Sequence, residues 1–279
     1  MRTTISILGC GWLGTALGKN LLSKGYIVKG STGTNNRYNE LEFTGIQPYF
    51  VQIEPDSVVI DYFSFFNTDV LVIAIPPKRM ENITDIFPGQ IKKIIELIRQ
   101  MKIPKVLFIS STSVYELANS EVREGEEGEP EKPSGRAILN AEKLLLAENG
   151  FQTTVVRFGG LIGANRNPGR FLAGKKNVPG NAPVNLIHHD DCVNMLTQII
   201  EEDIWGEVFN ACSSVHPTKK EFYSKAAEVS DLPVLEFTDV QENYKIINSD
   251  KLVQRLDYTF KYPSPMDYLK ELQEWDYRI

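Results

Sequence analysis

Short apolar runs alternate along the chain with segments in which apolar positions recur at helical spacing. Tyr26–Gly30, Tyr49–Ile53, Asp69–Ile75, Lys105–Ser110 and Thr153–Phe158 read as strands. Between them, Ile91, Ile94, Ile95, Ile98 and Met101 form one helical stripe, and Ala141, Leu144 and Leu145 begin another that closes at Gly150. This alternation predicts an α/β fold with a doubly wound parallel sheet. The run Val70–Ile75 is apolar on both faces, as a central parallel strand requires, and Pro76-Pro77 ends it. Ligands of such sheets bind outside the carboxyl ends of the strands, so Ile75, Pro76, Ser110 and Ser111 are expected on the binding side. Farther on, Thr218-Lys219-Lys220-Glu221 has the form of a capping box, and Ser264-Pro265 places a cap and an N1 proline before a last helix. The acidic, Gly- and Pro-interrupted stretch from Glu121 to Pro130 is expected as a solvated loop.

Composition narrows the classes. With 279 residues the chain fits one large α/β domain, or one domain and a small lobe, and 42% hydrophobic with 24% charged residues is ordinary for a globular protein. A formal charge of −6 gives no electrostatic footprint for nucleic acid or an anionic membrane. Phosphates, if bound, are met locally. Cys10, Cys192 and Cys212 are isolated and show neither a disulfide framework nor metal-ligand spacing, which fits the cytoplasm and no metal site. The chain enters its first strand almost at once, leaving no room for a signal peptide, and no apolar stretch reaches the roughly 18 residues a membrane span needs.

The chemistry begins at Gly9-Cys10-Gly11-Trp12-Leu13-Gly14. It follows the apolar run Thr4–Leu8 and opens a stretch in which Leu13, Ala16, Leu17 and Leu21 repeat at helical spacing, with Gly25 as the closing cap. Strand, tight turn and helix N-terminus in series form a cradle for a dinucleotide pyrophosphate. Gly9 serves the turn, Gly11 lets backbone approach the phosphates, Gly14 allows close packing, and the helix start at Trp12 and Leu13 supplies N–H groups. An acid usually ends the second strand and bonds the ribose of NAD. Here that place holds Ser31, Thr32 and, nearby, Arg37, which suit a 2′-phosphate, so NADP is expected, with NAD as the alternative.

Further pieces appear in order: Phe108-Ile109-Ser110-Ser111-Thr112-Ser113-Val114-Tyr115, Pro133-Ser134-Gly135-Arg136 with Glu142, Arg157-Phe158-Gly159-Gly160-Leu161-Ile162-Gly163, and Asn185-Leu186-Ile187-His188-His189-Asp190-Asp191. Together with the glycine loop they resemble the extended short-chain dehydrogenase/reductase superfamily, in its nucleoside-sugar epimerase and dehydratase group. The resemblance implies a Rossmann-type domain over 1–162 and 186–212 and a smaller substrate lobe over 163–185 and 213–279. It also implies that Phe158 lies by the cofactor, and that a Ser or Thr, a Tyr and a Lys carry catalysis. In that scheme a tyrosine phenol exchanges a proton while the nicotinamide exchanges a hydride, and the lysine lowers the phenol pKa.

The chain departs from that pattern. The family's serine falls on Ser111, but its tyrosine falls on Ser134 and its lysine on Ile138, with Gly135 and Glu142 keeping the register. An aliphatic hydroxyl is too weak an acid to replace a phenol. Ser111, Ser134 and Tyr115 remain the catalytic candidates, with Arg136, His188 and His189 as further polar groups. Gly160 replaces an asparagine many members carry, and Arg166, Arg170 and Lys175-Lys176 suit a substrate phosphate. Two functions fit: an epimerase- or dehydratase-like oxidoreductase acting on a small molecule, either a phosphorylated or nucleotide-linked sugar or a small carbonyl, and a catalytically silent NAD(P)-binding sensor. The chain is expected as a monomer, or as a homodimer through the helices Ile91–Met101 and Ala137–Glu148.

Overall fold

Seven extended segments, β1 (Thr4–Leu8), β2 (Ile27–Thr32), β3 (Gln47–Phe50), β4 (Val70–Ile73), β5 (Lys105–Ser111), β6 (Gln152–Phe158) and β7 (Val208–Ala211), form one sheet in the order β7-β6-β5-β4-β1-β2-β3. The computed structural model describes residues 2–55, 57–59, 62–163, 166–233 and 235–276. Each pair from β3 to β5 is parallel. This is the doubly wound α/β class expected from the alternation of strands and helices. The run at β4 is buried at all four positions, which is why it shows no polar alternation. Strand order reverses between β1 and β4, so the crevice that binds ligands in such sheets opens at their carboxyl ends, beside the glycine loop.

The main helices are α1 (Trp12–Ser23), α2 (Asn35–Phe43), α3 (Ile83–Met101), α4 (Pro133–Leu146), α5 (His189–Glu201), α6 (Lys219–Glu228) and α7 (Pro265–Asp276). Helix α1 stops at Gly25, whose φ of +89° suits glycine, and the N–H groups of Gly25 and Tyr26 reach back to the carbonyls of Leu22 and Leu21. Helix α3 buries Ile91, Ile94, Ile95 and Ile98 as the stripe predicts, each contributing ~2 kcal/mol of burial. It begins earlier than the stripe does, at Ile83, and carries Pro88 inside it. The capping box at Thr218 and Glu221 forms in full. At α7 the Met266 N–H donates to Ser264 Oγ at 3.2 Å.

Two segments differ from expectation. The extended run Tyr49–Ile53 is not one strand: β3 carries Pro48 at the sheet edge, and Gln52–Glu54 turns away to pair antiparallel with Ser57–Val59. Nor is the acidic stretch simply a solvated loop. Glu121–Val122 pairs with Ile246–Ile247, Val122 is buried, and the Glu124 carboxylate accepts the Asn210 N–H at 2.6 Å.

Packing divides the chain into two units. The first comprises Met1–Val114, Glu129–Arg157 and Met195–Phe209, and the second Tyr115–Gly128, Phe158–Asn194 and Asn210–Ile279. Residues 115–128 join the second unit through the short strand at Glu121 and through paired hydrogen bonds between Asn119 and Tyr244. The second unit has its own core, in which Ile162, Leu186, Phe222, Tyr262 and Leu269 meet.

Candidate functional site

The glycine loop sits in the first unit between the end of β1 and the start of α1. Gly9 has φ +105°, and a Cβ there would lie 2.9 Å from the carbonyl of Ala74. A Cβ on Gly14 would lie 2.4 Å from the Gly9 oxygen, so helix and turn touch only because no side chain intervenes. Gly11 is different, because a Cβ there would meet nothing within 4 Å. The three positions thus divide as turn, open face and packing contact. The open face lies at the N-terminus of α1, whose first N–H groups suit an anion.

Residues of β2 and α2 brace the loop. Gly9 N–H donates to Ser31 Oγ at 2.8 Å, and Cys10 N–H to the Ser31 carbonyl at 3.0 Å. Ser31 is buried, so its side chain acts first as a strut of the loop. Thr32 is also buried at the edge of this turn, with Thr34 N–H donating to its Oγ1 at 3.3 Å. Arg37, in the first turn of α2, donates from Nη2 to the Cys10 carbonyl at 2.7 Å and to Thr15 Oγ1 at 3.4 Å, and from Nη1 to Glu40 at 3.2 Å. Gly30 was not foreseen: a Cβ there would lie 2.6 Å from Cys10 Sγ, so this glycine admits the buried thiol beneath the loop. Burial pushes that thiol up to about 12 against the opposing pull of Arg37, which leaves it inert.

A cavity of about 210 Å³ adjoins the end of β1 in the same unit. Leu8, Val51, Ile53, Ile75 and Pro76 form its apolar walls, and Gln52, Glu54, Lys78 and Gln90 its polar parts. Ile75 and Pro76 therefore line a concave surface, as their place after β4 predicts. Leu13 is buried against the core and Trp12 begins α1.

At the end of β5 the pieces divide differently. The Ser110 hydroxyl donates to the Glu142 carboxylate, which also receives the Arg157 guanidinium at 2.6 and 3.1 Å. Glu142 and Arg157 are 1% and 3% exposed, so this is a buried, compensated ion pair with Ser110 as its third member. Ser110 thus faces the interior of the unit. Ser111 is half-buried, and its Oγ accepts the Ser113 N–H at 3.1 Å. A Cβ on Gly135 would lie 2.3 Å from the Ser113 carbonyl, so the first turn of α4, with Ser134, packs on the turn that follows Ser111. The two serines are brought to one neighbourhood. Ile138 is buried, and Arg136 donates to the carbonyls of Pro130 and Glu131 at 2.9 Å, fixing the entry to α4.

In the second unit Tyr115 is buried and its hydroxyl donates to Asn210 Oδ1 at 2.7 Å. Its phenol is held in a packing role. Phe158 is buried at the end of β6. His188 is buried between Tyr262 and Tyr268, with ring centroids 4.0 and 4.6 Å away, and its Nδ1 accepts the Asp190 N–H at 3.2 Å. Burial pushes this imidazole down to about 4, against the pull of the Asp190 carboxylate, so it is neutral at pH 7. Asp191 accepts from Tyr258 at 2.8 Å and from the Lys261 N–H at 2.7 Å, anchoring the start of α5. Lys176 pairs with Glu236, while Arg170 is exposed. Neither Glu142 nor the Asn210 partnership was predicted as a site, because their partners lie far apart in sequence.

A model of the NAD dependent epimerase/dehydratase family matches residues 5–212. Protein YeeZ of Escherichia coli (strain K12) is 30% identical over 266 residues, covering 94% of this chain and 97% of YeeZ. Among solved structures, dTDP-glucose 4,6-dehydratase from Bacillus anthracis str. Ames, in complex with NAD, gives a TM-score of 0.80 at 16% identity, covering 99% of this chain and 97% of that one. UDP-glucuronic acid 4-epimerase from Bacillus cereus, in complex with UDP-glucuronic acid and NAD, gives 0.80 at 18% identity, covering 99% of both chains. The solved structures share the fold, and the family match runs from β1 through β7 and takes in both the glycine loop and the Ser111 turn. The chain belongs to the NAD dependent epimerase/dehydratase family.

Proposed function

We propose that this protein binds NADP(H) on its glycine loop and acts as an oxidoreductase, epimerase or dehydratase on a nucleotide-linked or phosphorylated sugar, or on a small carbonyl compound, without a Tyr-Lys pair. The observation that carries the cofactor choice is the Arg37 guanidinium 2.7 Å from the Cys10 carbonyl, inside the loop, while the end of β2 has no carboxylate. The fit of a dinucleotide rests on the open face at Gly11 and on its place at the N-terminus of α1.

When bound, the cofactor supplies hydride exchange. The chain's own residues do the rest. The N-terminus of α1 holds the pyrophosphate, Arg37 meets the 2′-phosphate, and Ile75 and Pro76 form an apolar wall. Ser111 donates a hydrogen bond to the substrate oxygen, with Ser134 as a second hydroxyl nearby. Proton transfer is not assigned to Tyr115, whose hydroxyl already donates to Asn210 Oδ1. Residues 163–185 and 213–279 are read as the smaller substrate lobe, in which Arg166 and Arg170 suit a phosphate. Three free, buried cysteines support a cytoplasmic location.

Fluorescence titration with NADPH and NADH tests the cofactor choice, and tighter binding of NADH overturns it. A screen of sugar nucleotides and small carbonyls, read by NADPH absorbance, tests the reaction: turnover lost in Ser111→Ala supports it. A second reading, a silent NAD(P)-binding sensor, is favoured by the buried apolar Ile138 at the lysine position. It predicts no turnover with any substrate and an association state that changes with NADPH.

A further inference from the structure

We infer that Glu40 sets how strongly this site distinguishes a phosphorylated from an unphosphorylated dinucleotide, by competing with the phosphate for Arg37. The inference rests on the reading that Arg37 meets the 2′-phosphate. The Arg37 guanidinium is divided between two neighbours. Its Nη2 edge is committed to the glycine loop, at 2.7 Å from the Cys10 carbonyl and 3.4 Å from Thr15 Oγ1. Its Nη1 edge is paired with the Glu40 carboxylate at 3.2 Å, one helical turn along α2. Both side chains reach solvent, at 41% and 63% exposure, so a ligand bound at the loop meets this pair directly.

The two edges have different consequences for an incoming anion. Arginine stays charged at any working pH and binds phosphate best when two N–H groups of its fork are available. Here Glu40 occupies one of them and adds a negative charge where a dianionic phosphate must come. The phosphate therefore displaces Glu40 from Nη1 and still feels its charge. A ribose with a free 2′-hydroxyl meets no such penalty, because a carboxylate accepts a hydroxyl hydrogen. The first turn of α2 contains no acid, so Glu40 in the next turn is the nearest carboxylate along this helix. Arg37 keeps its place without Glu40, since its bonds to Cys10 and Thr15 do not involve that residue. Removing the carboxylate should thus improve phosphate binding rather than dismantle the site.

The test compares the Kd of NADPH, NADH and 2′,5′-ADP in the full-length protein and in Glu40→Gln, Arg37→Ala and the double variant. In Glu40→Gln we expect the Kd of NADPH and of 2′,5′-ADP to fall about fivefold at low ionic strength, with NADH unchanged or slightly weaker. The gain should shrink in about 0.5 M salt, where exposed charges are screened, and be smaller when Arg37 is also alanine, where only the relief of charge repulsion is left. An equal gain for NADH and NADPH, no gain, or a loss of NADPH affinity overturns the inference, the last by making Glu40 a support for Arg37. If Arg37→Ala leaves NADPH binding unchanged, the underlying cofactor reading fails and the role of Glu40 falls with it. If Arg37→Ala weakens NADPH but Glu40→Gln does not tighten it, only the role of Glu40 is lost.

Discussion

The glycine loop and the first turns of α4 lie in the same unit and match the resemblance to different degrees. At the loop every physical requirement of a pyrophosphate cradle is met: the positive φ at Gly9, the open face at Gly11, the close contact at Gly14 and the struts from Ser31 and Arg37. At α4 the packing is tight, but the polar groups are not those the resemblance implies. Gly135 still packs on Ser113, and Glu142 still joins Ser110 and Arg157, yet Ser134 and Ile138 stand where the resemblance places a phenol and an ammonium. The shape of the loop and the polar groups at the head of α4 are therefore separable in this fold, because they depend on different residues.

The largest expected effect tests the scaffold beneath α4. Arg157→Met leaves the Glu142 carboxylate buried without its partner and should cost about 3–5 kcal/mol, lowering the melting temperature by roughly 10 °C. A shift of only a degree or two would mean that this region is less tightly built than the loop. Next comes His188, retained as scaffold on the second unit. The unfolded chain takes up this proton near pH 6.5 and the folded chain near pH 4. Its contribution is therefore complete above pH 6.5 and is lost at about 1.4 kcal/mol per pH unit as pH falls toward 4. Urea melts of the protein and of His188→Gln should diverge across that window, and parallel profiles would remove His188 from the account.

Gly14→Val probes the other side of the comparison. With the Cβ already in conflict with the Gly9 oxygen, NADPH affinity should fall about 100-fold, or roughly 2.7 kcal/mol. The smallest effect is expected at Ser134→Ala, which should leave the NADPH Kd within about twofold and the melting temperature nearly unchanged. If calorimetric titration instead showed Ser134→Ala weakening NADPH as much as Gly14→Val, the two regions would be one site rather than two.

The loop was legible in sequence because its requirements are local. Three glycines, a preceding apolar strand and a following amphipathic helix all fall within residues 4–25, and so does the cap at Gly25. Thr218 and Glu221 were legible for the same reason. Pairings between distant segments were not. Ser110 and Glu142 are 32 residues apart and Tyr115 and Asn210 are 95 apart, so nothing in their local patterns signals that Ser110 turns inward or that the Tyr115 phenol is already engaged. Glu124 was hidden by composition: in a run of acids it resembles a solvated residue, yet it caps the Asn210 N–H. The edge strand misled at Val51, where continued apolar character conceals the turn into a separate hairpin.

The struts from Ser31 and Arg37 have one more consequence. Because the loop is held by its own chain, its shape exists before any ligand arrives, and the entropy of ordering it is spent during folding rather than at binding. The shape of the loop then comes with the fold itself. Substitutions at the head of α4 need not loosen the loop, since the struts that hold it come from β2 and α2.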